Sequence, residues 1–462
     1  MLRLGVRFSP LACNIFKLFF FPPTASYGAV FFILGRRRWR ILGDVVRKPL
    51  ASAAPGARQN VEMLYNSESE RPGLVKHYAA RAGGAIDYGV NVNVMKAIVL
   101  FSGGLDSILA CCVLKEQGVE VIGLNMITPF HDCSRDAAKR AQELGIELVT
   151  REFGEEYMAM LAKPKWGYGS NVNPCIDCRT LMLREAAKLM EERGAEFVAT
   201  GEIAGQRPNS QKIHQLTLIS RESGLNGKLV RPLSARILPK TEPELDGRLD
   251  RERLRAFSGR GRTKLAAYAR SEFGIRQIPQ PSSGCVLCEN SFSPRVRDML
   301  KHKELPTLWD AKALPCGRRL RLDPNAYVVV GRRAEDCDAL DELFASPKRS
   351  RCVLIYPDNY NGASALLVTD EAPEFGDENP TISEKLQQYI ETAGSLALRF
   401  SNPDRYRVAQ PNGPQARLFL GATKRIIPLK ENPEVDAIPI IQEPDKKPKA
   451  RPSDAKDAQS GE

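Results

Sequence analysis

The main pattern along the chain is a series of short apolar runs that alternate with amphipathic segments between residues 95 and 200. The run at 97–101 has no polar alternation, which is typical of a parallel strand buried on both faces. Glycines follow the amphipathic segments, as they do where helices end in a left-handed residue. The pattern predicts an α/β fold with a doubly wound parallel sheet. The predicted strands are 97–101, 119–125, 146–151 and 196–200, and the predicted helices are 107–117, 135–144 and 180–193.

Beyond residue 201 this alternation weakens, and a further helix is predicted at 263–273. From about residue 306 the pattern predicts a second, smaller α+β domain that ends near residue 430. Its predicted strands are 327–330, 353–356 and 365–368, and its predicted helices are 335–344 and 382–391. The segment 431–462 is rich in Pro, Lys, Asp and Glu and predicts a disordered tail. The predicted domains are therefore 95–305 and 306–430.

Residues 1–94 show no comparable organisation. The apolar run at 11–34 is interrupted by Lys17 and by Pro22 and Pro23, so it falls short of the roughly 20 clean residues of a membrane span. Met95 opens the first buried strand. We therefore expect 1–94 to be an extension that is either disordered or absent from the native protein, and we expect no membrane partner.

Most of the net charge of +12 comes from that extension, which contains 13 Lys and Arg and 5 Asp and Glu. The other residues sum to only about +4, so charge alone is weak evidence for a nucleic-acid partner. The 11 cysteines are too sparse, and odd in number, for a disulfide scaffold. Two C-x-x-C pairs instead indicate metal or sulfur chemistry in a reducing compartment, which predicts a cytoplasmic protein.

A glycine-containing loop joins the first predicted strand to the first predicted helix, with the sequence Ser102-Gly103-Gly104-Leu105-Asp106-Ser107. Glycines let a backbone approach a ligand closely, and the helix that follows offers unpaired amides to an anion. Asp106 would repel a phosphate, so it indicates either a Mg²⁺ ion or a structural bond within the loop. The alternative is a tight turn in which Asp106 caps the helix.

This hexapeptide resembles the PP-loop of the N-type ATP pyrophosphatases. The resemblance implies that ATP is cleaved to AMP and pyrophosphate, and that the AMP passes to a carbonyl or carboxyl oxygen. It implies pyrophosphate binding by Ser102, Gly103, Gly104, Asp106 and Ser107. The segment 197–201 resembles the strand end that lines the adenylate pocket in that family, which adds Thr200 and Gly201.

The two cysteine pairs, Cys175 with Cys178 and Cys285 with Cys288, are predicted on loops, because Pro174 and Gly284 precede them. The segment 173–179 resembles a loop of tRNA-thiolating enzymes related to the 2-thiouridylases and to the ThiI class. In those relatives, cysteines at matching places act in sulfur transfer or hold an iron–sulfur cluster.

Four interpretations of these cysteines stay open. A [4Fe–4S] cluster would use Cys175, Cys178 and Cys285, with Cys288 as fourth ligand or bystander. A persulfide route needs one thiolate from each pair. All four could hold a structural Zn²⁺. The spacing could also be coincidental, since this chain uses cysteine as apolar filler elsewhere.

The resemblance, together with the chemistry of oxygen-to-sulfur exchange, predicts an ATP-dependent adenylating sulfurtransferase. A uracil carbonyl oxygen is a poor leaving group until adenylation makes it part of AMP, after which a sulfur nucleophile can displace it. The expected partners are tRNA and an unidentified sulfur donor. Two alternatives are a PP-loop ligase that uses ammonia and a structural zinc, and a non-catalytic RNA-binding protein.

Basic loops and the second domain supply candidate RNA contacts. Arg207 and Arg231 each lie beside a proline on a predicted loop, where they could bind triphosphate or an RNA backbone. The segment 327–332, which ends in Arg332, resembles the start of the small RNA-binding domain of the NFACT type. The resemblance implies RNA capture by residues 306–430.

Overall fold

The computed structural model describes residues 94–208, 210–280, 284–331, 333–404 and 413–441, together with the backbone of three strands nearer the amino terminus. These strands are β1 (Phe16–Leu18), β2 (Gly28–Gly35) and β3 (Arg38–Val46), which form an antiparallel sheet. The chain divides into two units, Met1–Met95 and Lys96–Glu462. That 1–94 is an extension foreign to the native fold stays a prediction, and most of it lies outside the described residues.

The second unit opens with the expected parallel sheet, whose five strands follow the order β6-β5-β4-β7-β8. The strands are β4 (Lys96–Leu100), β5 (Glu120–Ile127), β6 (Glu147–Glu152), β7 (Phe197–Thr200) and β8 (Leu229–Val230). β4 lies in the centre, and four of its five residues are buried, because helices cover both faces. The predicted doubly wound sheet is confirmed.

Helix α1 packs on the sheet and α7 packs on α1, whereas α3, α4, α5 and α8 share a core with residues of the strands. The helices of this region are α1 (Leu105–Lys115), α2 (Ser134–Leu144), α3 (Glu155–Ala162), α4 (Cys175–Glu192), α5 (Ile213–Glu222), α6 (Glu242–Leu245), α7 (Arg262–Phe273), α8 (Ser293–His302) and α9 (Leu308–Ala313). Among the described residues, no helix is long and apolar enough to cross a membrane.

The start of α4 differs from the sequence expectation. The helix begins at Cys175 rather than near residue 180, so Cys175 and Cys178 lie in its first turn and not on a loop. Pro174 is the residue just before the helix, where its restricted backbone is compatible with a helix start. Asp177 adds a favourable negative charge at the positive end of the helix.

The remaining described elements form a six-stranded antiparallel sheet in the order β14-β13-β11-β12-β10-β9. The strands are β9 (Arg318–Asp323), β10 (Ala326–Gly331), β11 (Cys352–Pro357), β12 (Ser364–Thr369), β13 (Gln415–Leu420) and β14 (Thr423–Pro428). Helix α10 (Ala334–Ala345) packs on one face and α11 (Glu384–Arg399) on the other. Three of these strands, β9, β13 and β14, were not expected from the sequence.

The limits of this second domain differ in detail from the expected 306–430. α9 begins just after the expected boundary, and its Trp309 packs under the antiparallel sheet while Ala311 packs in the core of the first domain. At the other end, Val435 is buried and Ile440 bridges to Leu320 of β9. The described chain therefore packs on this domain as far as residue 441, and 442–462 lie outside the described residues.

Candidate functional site at the carboxyl edge of the parallel sheet

The glycine loop of residues 102–107 turns directly from β4 into α1, with Gly104 as the residue that caps the helix. Gly103 has φ of 70°, and a Cβ there would lie 2.9 Å from the Asp136 carbonyl oxygen. Only glycine fits this left-handed conformation and this close approach to α2. The loop therefore holds the first-turn amides of α1, which have no intrahelical acceptors, at the carboxyl edge of the sheet.

The two serines of the loop differ in their surroundings. Ser102 is exposed, and its Oγ lies 3.4 Å from the Gly104 amide. Ser107 is buried, and its hydroxyl donates to the Gly104 carbonyl oxygen at 2.9 Å. Ser102 is thus the serine of the pair that is accessible to a ligand, whereas Ser107 stabilises the turn.

Asp106 faces the loop that follows β7. Gln206 Nε2 donates to Asp106 Oδ2 at 3.0 Å, so the carboxylate does not cap its own helix. Burial raises the pKa of Asp106, although the Gln206 hydrogen bond and the charges of Arg262 and Arg207 oppose that rise. A half-buried carboxylate beside an anion-binding loop fits a Mg²⁺ ion, which typically uses one or two carboxylates and the phosphates of its substrate.

The Asp106→Asn variant is expected to stay folded and to lose ATP cleavage by about 100-fold. Since the pKa of Asp106 is raised on folding, the charged carboxylate opposes folding above that pKa, and this penalty disappears as the pH falls. The amide removes the charge and can still accept from Gln206. Thermal unfolding without nucleotide should show no loss of stability, while AMP release falls. A destabilised variant with normal AMP release would contradict this role.

Thr200 and Gly201 end β7 next to the glycine loop. Thr200 is buried, and its hydroxyl donates to Glu202 Oε2 at 3.1 Å rather than facing open space. At Gly201, a Cβ would lie 2.5 Å from the carbonyl carbon of Asp106 and 2.6 Å from the Ser107 amide nitrogen. Gly201 therefore lets the end of β7 pack directly on the first turn of α1.

Arg231 and Arg207 differ from each other in burial. The Arg231 guanidinium is buried, and its three nitrogens donate to Glu202 Oε2, Ser220 Oγ and the Leu216 carbonyl oxygen, each at 3.0 Å. All three nitrogens are therefore engaged by protein groups, as expected of a buried structural ion pair. Arg207 is exposed, and within the described residues its side chain makes no hydrogen bond or ion pair. Its neighbour Asn209 lies outside the described residues.

The four cysteines of the two pairs lie together. The Cys288 thiol donates a hydrogen bond to Cys175 Sγ, and Asn173 Nδ2 lies 3.2 Å from the same sulfur. Cys178 is within 3.6 Å of the Tyr157 hydroxyl, and Cys285 is close enough to interact electrostatically with Cys175 and Cys178. The pairing across the two motifs is therefore Cys175 with Cys288.

These contacts give the four thiols different pKa values. Hydrogen bonding by Cys288, helped by Asn173, Arg179 and Arg207, lowers the pKa of Cys175 to about 6 in spite of burial. Burial raises the pKa of Cys178, and it raises that of Cys285 to about 12. The pKa of Cys288 is also raised, chiefly because it is the donor to Cys175. Cys175 is therefore the thiol of the group whose pKa is lowered, and the one favoured to ionise.

Asn171 joins the two cysteine segments. Its side-chain Nδ2 donates to the Cys288 carbonyl oxygen at 2.8 Å and to Asn290 Oδ1 at 3.0 Å. Its backbone N–H donates to Asn173 Oδ1. The segment that begins at Cys285 also contacts the loop after β5, where the Val286 amide donates to the Phe130 carbonyl oxygen. The cysteines thus lie at the carboxyl edge of the same sheet as the glycine loop.

The four cysteines are the candidate ligands for a metal ion. Among the described residues, no group of three or more Cys, His, Asp and Glu side chains is arranged to hold a metal ion. The Cys175 thiolate accepts from Cys288, whereas Cys178 contacts the Tyr157 hydroxyl. The observed arrangement is therefore that of four interacting thiols.

Sequence reasoning missed several residues that build the site. Gln206, Asn171 and Tyr157 contact the expected residues but were given no role from the sequence. Asn173 contacts Cys175 from within the segment 173–179, where only the cysteines were assigned. His131 was given no role from the sequence. Its pKa is lowered mainly by burial and further by the nearby charges of Arg207 and Arg179. Of these residues, only Asn171 and Asn173 could have been indicated by the sequence, because they lie close to a C-x-x-C motif along the chain.

The part of the chain that contains the glycine loop and most of the parallel sheet is similar to a known protein family. The tRNA methyl transferase HUP domain matches residues 95–222, which include the loop, α1 and the first cysteine pair. Residues 95–222 form a PP-loop HUP domain. The described geometry of this HUP domain, a parallel sheet with the glycine loop after its central strand, agrees with that match.

Curated relatives match mainly over the HUP domain. The chain is 35% identical over 118 residues to the tRNA-specific 2-thiouridylase MnmA of Syntrophomonas wolfei, which covers 24% of this chain and 34% of that relative. A longer match, 27% identical over 227 residues, is to the enzyme of the same name from Flavobacterium johnsoniae and covers 42% of this chain and 56% of the relative. The chain thus spans about a third of the length of the first relative.

Among solved structures, a 4-thiouridine synthetase–RNA complex with bound ATP shares 21% sequence identity and superposes with a TM-score of 0.31. The superposition covers 48% of this chain and 52% of that one.

Proposed function

We propose that this protein adenylates a uridine carbonyl of tRNA with ATP and then exchanges that oxygen for sulfur, releasing AMP and pyrophosphate. The observation that supports it most is the position of the PP-loop and the Cys175 thiolate at one edge of the HUP sheet. The loop after β7 lies between them, since Gln206 hydrogen-bonds Asp106 and the charge of Arg207 acts on both Asp106 and Cys175.

ATP binding in this proposal uses the PP-loop. The first-turn amides of α1 and the Ser102 hydroxyl bind the pyrophosphate end, and Gly103 and Gly104 let the backbone approach it. Asp106 is the group that would hold Mg²⁺, which neutralises the phosphate charge when bound. Gly201 lets the end of β7, on the adenylate side of the site, pack directly on the first turn of α1.

Sulfur transfer in this proposal uses the thiols directly. Cys175 receives a sulfur atom from a persulfide-bearing donor and becomes a persulfide. The terminal sulfur attacks the adenylated carbon, a C–S bond forms, and the C–O bond to AMP breaks, so AMP leaves with the former carbonyl oxygen. Cys288 then attacks Cys175 Sγ while its thiol proton passes to the departing sulfur, the thiolated uridine leaves with the outer sulfur, and a Cys175–Cys288 disulfide remains. A dithiol reductant returns both cysteines to thiols.

Cys178 and Cys285 flank this pair as protonated thiols and complete the proposed sulfur site. A [4Fe–4S] cluster or a Zn²⁺ ion would instead use these side chains as ligands. Iron, zinc and sulfide analysis of the protein purified without oxygen separates the two routes. We expect substoichiometric metal, and one cluster or one zinc per chain would contradict the thiol route.

The tRNA partner is proposed from the relatives, which are tRNA-specific enzymes by name. Exposed cations supply phosphate contacts: Arg207 near the thiols, and Lys424 and Arg425 on the outer strand β14 of the second domain. These positions support RNA binding by that domain, although Arg332 of the expected motif lies outside the described residues.

The test uses the full chain, purified without oxygen and supplied with α-labelled ATP in the presence and absence of bulk tRNA. We expect AMP and pyrophosphate, with a rate that rises when tRNA is added. AMP that forms equally without tRNA would support a small-molecule ligase instead, and ADP as the sole product would overturn the PP-loop mechanism.

A further inference from the structure

A pocket opens beside Cys175 on the side of helix α5. Its volume is about 180 Å³. The lining residues are Trp166, Gly167, Tyr168, Gly169, Asn173, Cys175, Ile176 and Gln215. Two aromatic side chains next to a thiolate are not needed for the adenylation or for the disulfide step, so the pocket calls for a separate explanation.

The aromatic side of the pocket belongs to a loop that the first turn of α4 holds in place. The carboxylate of Asp177, inside the Cys175–Cys178 motif, accepts from the amides of Lys165 and Trp166, both at 3.0 Å. The Tyr168 hydroxyl donates to the Leu161 carbonyl oxygen at 2.6 Å. The loop conformation is therefore fixed relative to Cys175, and the Tyr168 ring is fixed at its hydroxyl end.

Both rings are nevertheless open to solvent, since Trp166 is 39% exposed and Tyr168 is 40% exposed. The Lys165 ammonium lies 5.1 Å from the centre of the Trp166 ring. A side chain whose role is to fill the core would be buried. One with no role at the surface would not need a loop that is held by hydrogen bonds. The Tyr168 ring, held at its hydroxyl, and the neighbouring Trp166 ring, on an anchored backbone, are exposed and suited to stacking against another flat ring.

The dimensions and polar groups of the pocket suit a six-membered heterocycle. A cavity of about 150 Å³ accommodates benzene, so a pyrimidine ring fits the space here. Gln215 Oε1 accepts from the Lys212 amide at 3.1 Å, which leaves the Gln215 NH₂ group as a donor for a ring carbonyl. Lys212 is exposed and can contact a phosphate.

We propose that this pocket receives one unstacked uracil ring of single-stranded RNA, placed against Trp166 and Tyr168 with a carbonyl toward Gln215. Bases that are read or modified in RNA are splayed out of the strand and stacked on aromatic side chains. The proposal rests on the proposed function, because it makes the pocket the place where the target base meets Cys175.

The test compares variants that remove a ring with variants that keep one. Trp166→Ala and Tyr168→Ala are expected to raise KM for RNA in AMP release by roughly 10- to 100-fold, the range of base–aromatic stacking. Trp166→Phe and Tyr168→Phe should stay within about threefold of the wild type, since an aromatic ring still stacks. Leu245→Ala, at a residue 68% exposed on α6, is the surface control and should leave KM unchanged. Thermal unfolding of each variant excludes misfolding.

A direct measurement separates this inference from the proposed function. RNA that contains 5-iodouridine is irradiated with the full chain, and the crosslinked peptide is mapped; we expect Trp166 or Tyr168. Crosslinks confined to other peptides, or alanine variants with the wild-type KM, would overturn the pocket assignment. If the wild type shows no RNA-dependent AMP release, yet the crosslink maps to these rings, the pocket stands as an RNA site and the proposed reaction fails.

Discussion

The Cys175→Ser variant is expected to release AMP from ATP in the presence of tRNA and yet to lose RNA thiolation by at least about 1,000-fold. The Cys175 thiolate accepts a hydrogen bond from Cys288 and lies near Arg179 and Arg207, and these contacts lower its pKa to about 6. A serine hydroxyl stays protonated at neutral pH and cannot form a persulfide. The adenylation step uses the PP-loop, which this substitution leaves intact.

Thiolated RNA is measured by electrophoresis in a mercury-containing gel, and AMP is measured in the same reaction. The matched control is Cys337→Ser, since Cys337 lies on α10 in the second domain and its thiol contacts the Gly331 carbonyl oxygen, a bond that a serine can keep. Full thiolation by Cys175→Ser, with loss of thiolation in Cys178→Ser or Cys285→Ser, would contradict the assignment and place the sulfur on the other two thiols.

The same cysteine gives a pH signature. Because the pKa of Cys175 is about 6, the thiolate predominates above that pH and disappears as the pH falls below it. The pKa values of Cys178, Cys285 and Cys288 are raised, so their alkylation should need a more alkaline solution. Iodoacetamide should therefore label Cys175 first, with a midpoint near pH 6. Equal labelling of all four at neutral pH would contradict the proposed thiolate.

The Gly201→Ala variant is expected to lose ATP cleavage by about 100-fold or more, the effect of displacing a catalytic group by roughly 1 Å. The added Cβ would lie 2.5 Å from the carbonyl carbon and oxygen of Asp106 and 2.6 Å from the Ser107 amide nitrogen. These neighbours are backbone atoms at the start of α1, so relief of the clash must move the PP-loop itself. Overpacking of this kind also costs about 1–3 kcal/mol of stability.

ATP cleavage and thermal unfolding of Gly201→Ala are measured beside those of Gly261→Ala. Gly261 precedes α7, and a Cβ there would meet no atom within 4 Å, so this control should behave as the wild type. A Gly201→Ala protein that cleaves ATP normally would show that β7 and the PP-loop need not pack this closely.

The first half of the fold could be predicted because its signals are local. Residues 97–101 are continuously apolar, and the glycine pair that follows separates a strand from a helix within ten residues. The residues assigned to the PP-loop could be named for the same reason. The start of α4 was misplaced because Asn173 and Pro174 are typical of loops, whereas the helix begins immediately after the proline.

The features that the sequence could not predict depend on contacts between segments that are far apart along the chain. Three of the four interpretations of the cysteines bring the two pairs together, but the contact between Cys175 and Cys288 depends on Asn171, which joins the segments. Strand β9 was missed because a segment with three arginines is not expected to form a strand that packs against a core. Arg319 is buried there only because it packs 3.5 Å from the centre of the Tyr327 ring and pairs with Asp298 of α8.

The central claim, that ATP activates a uridine carbonyl, is tested most directly by following the oxygen atom. The full chain is incubated with ATP, a persulfide donor, a dithiol reductant and tRNA whose uracil carbonyls contain oxygen-18, and the AMP is analysed by mass spectrometry. Adenylation followed by sulfur displacement predicts that the AMP phosphate contains one oxygen-18 atom and that the RNA gains one sulfur. AMP without the label, formed while the RNA keeps its carbonyl oxygens, would contradict the account.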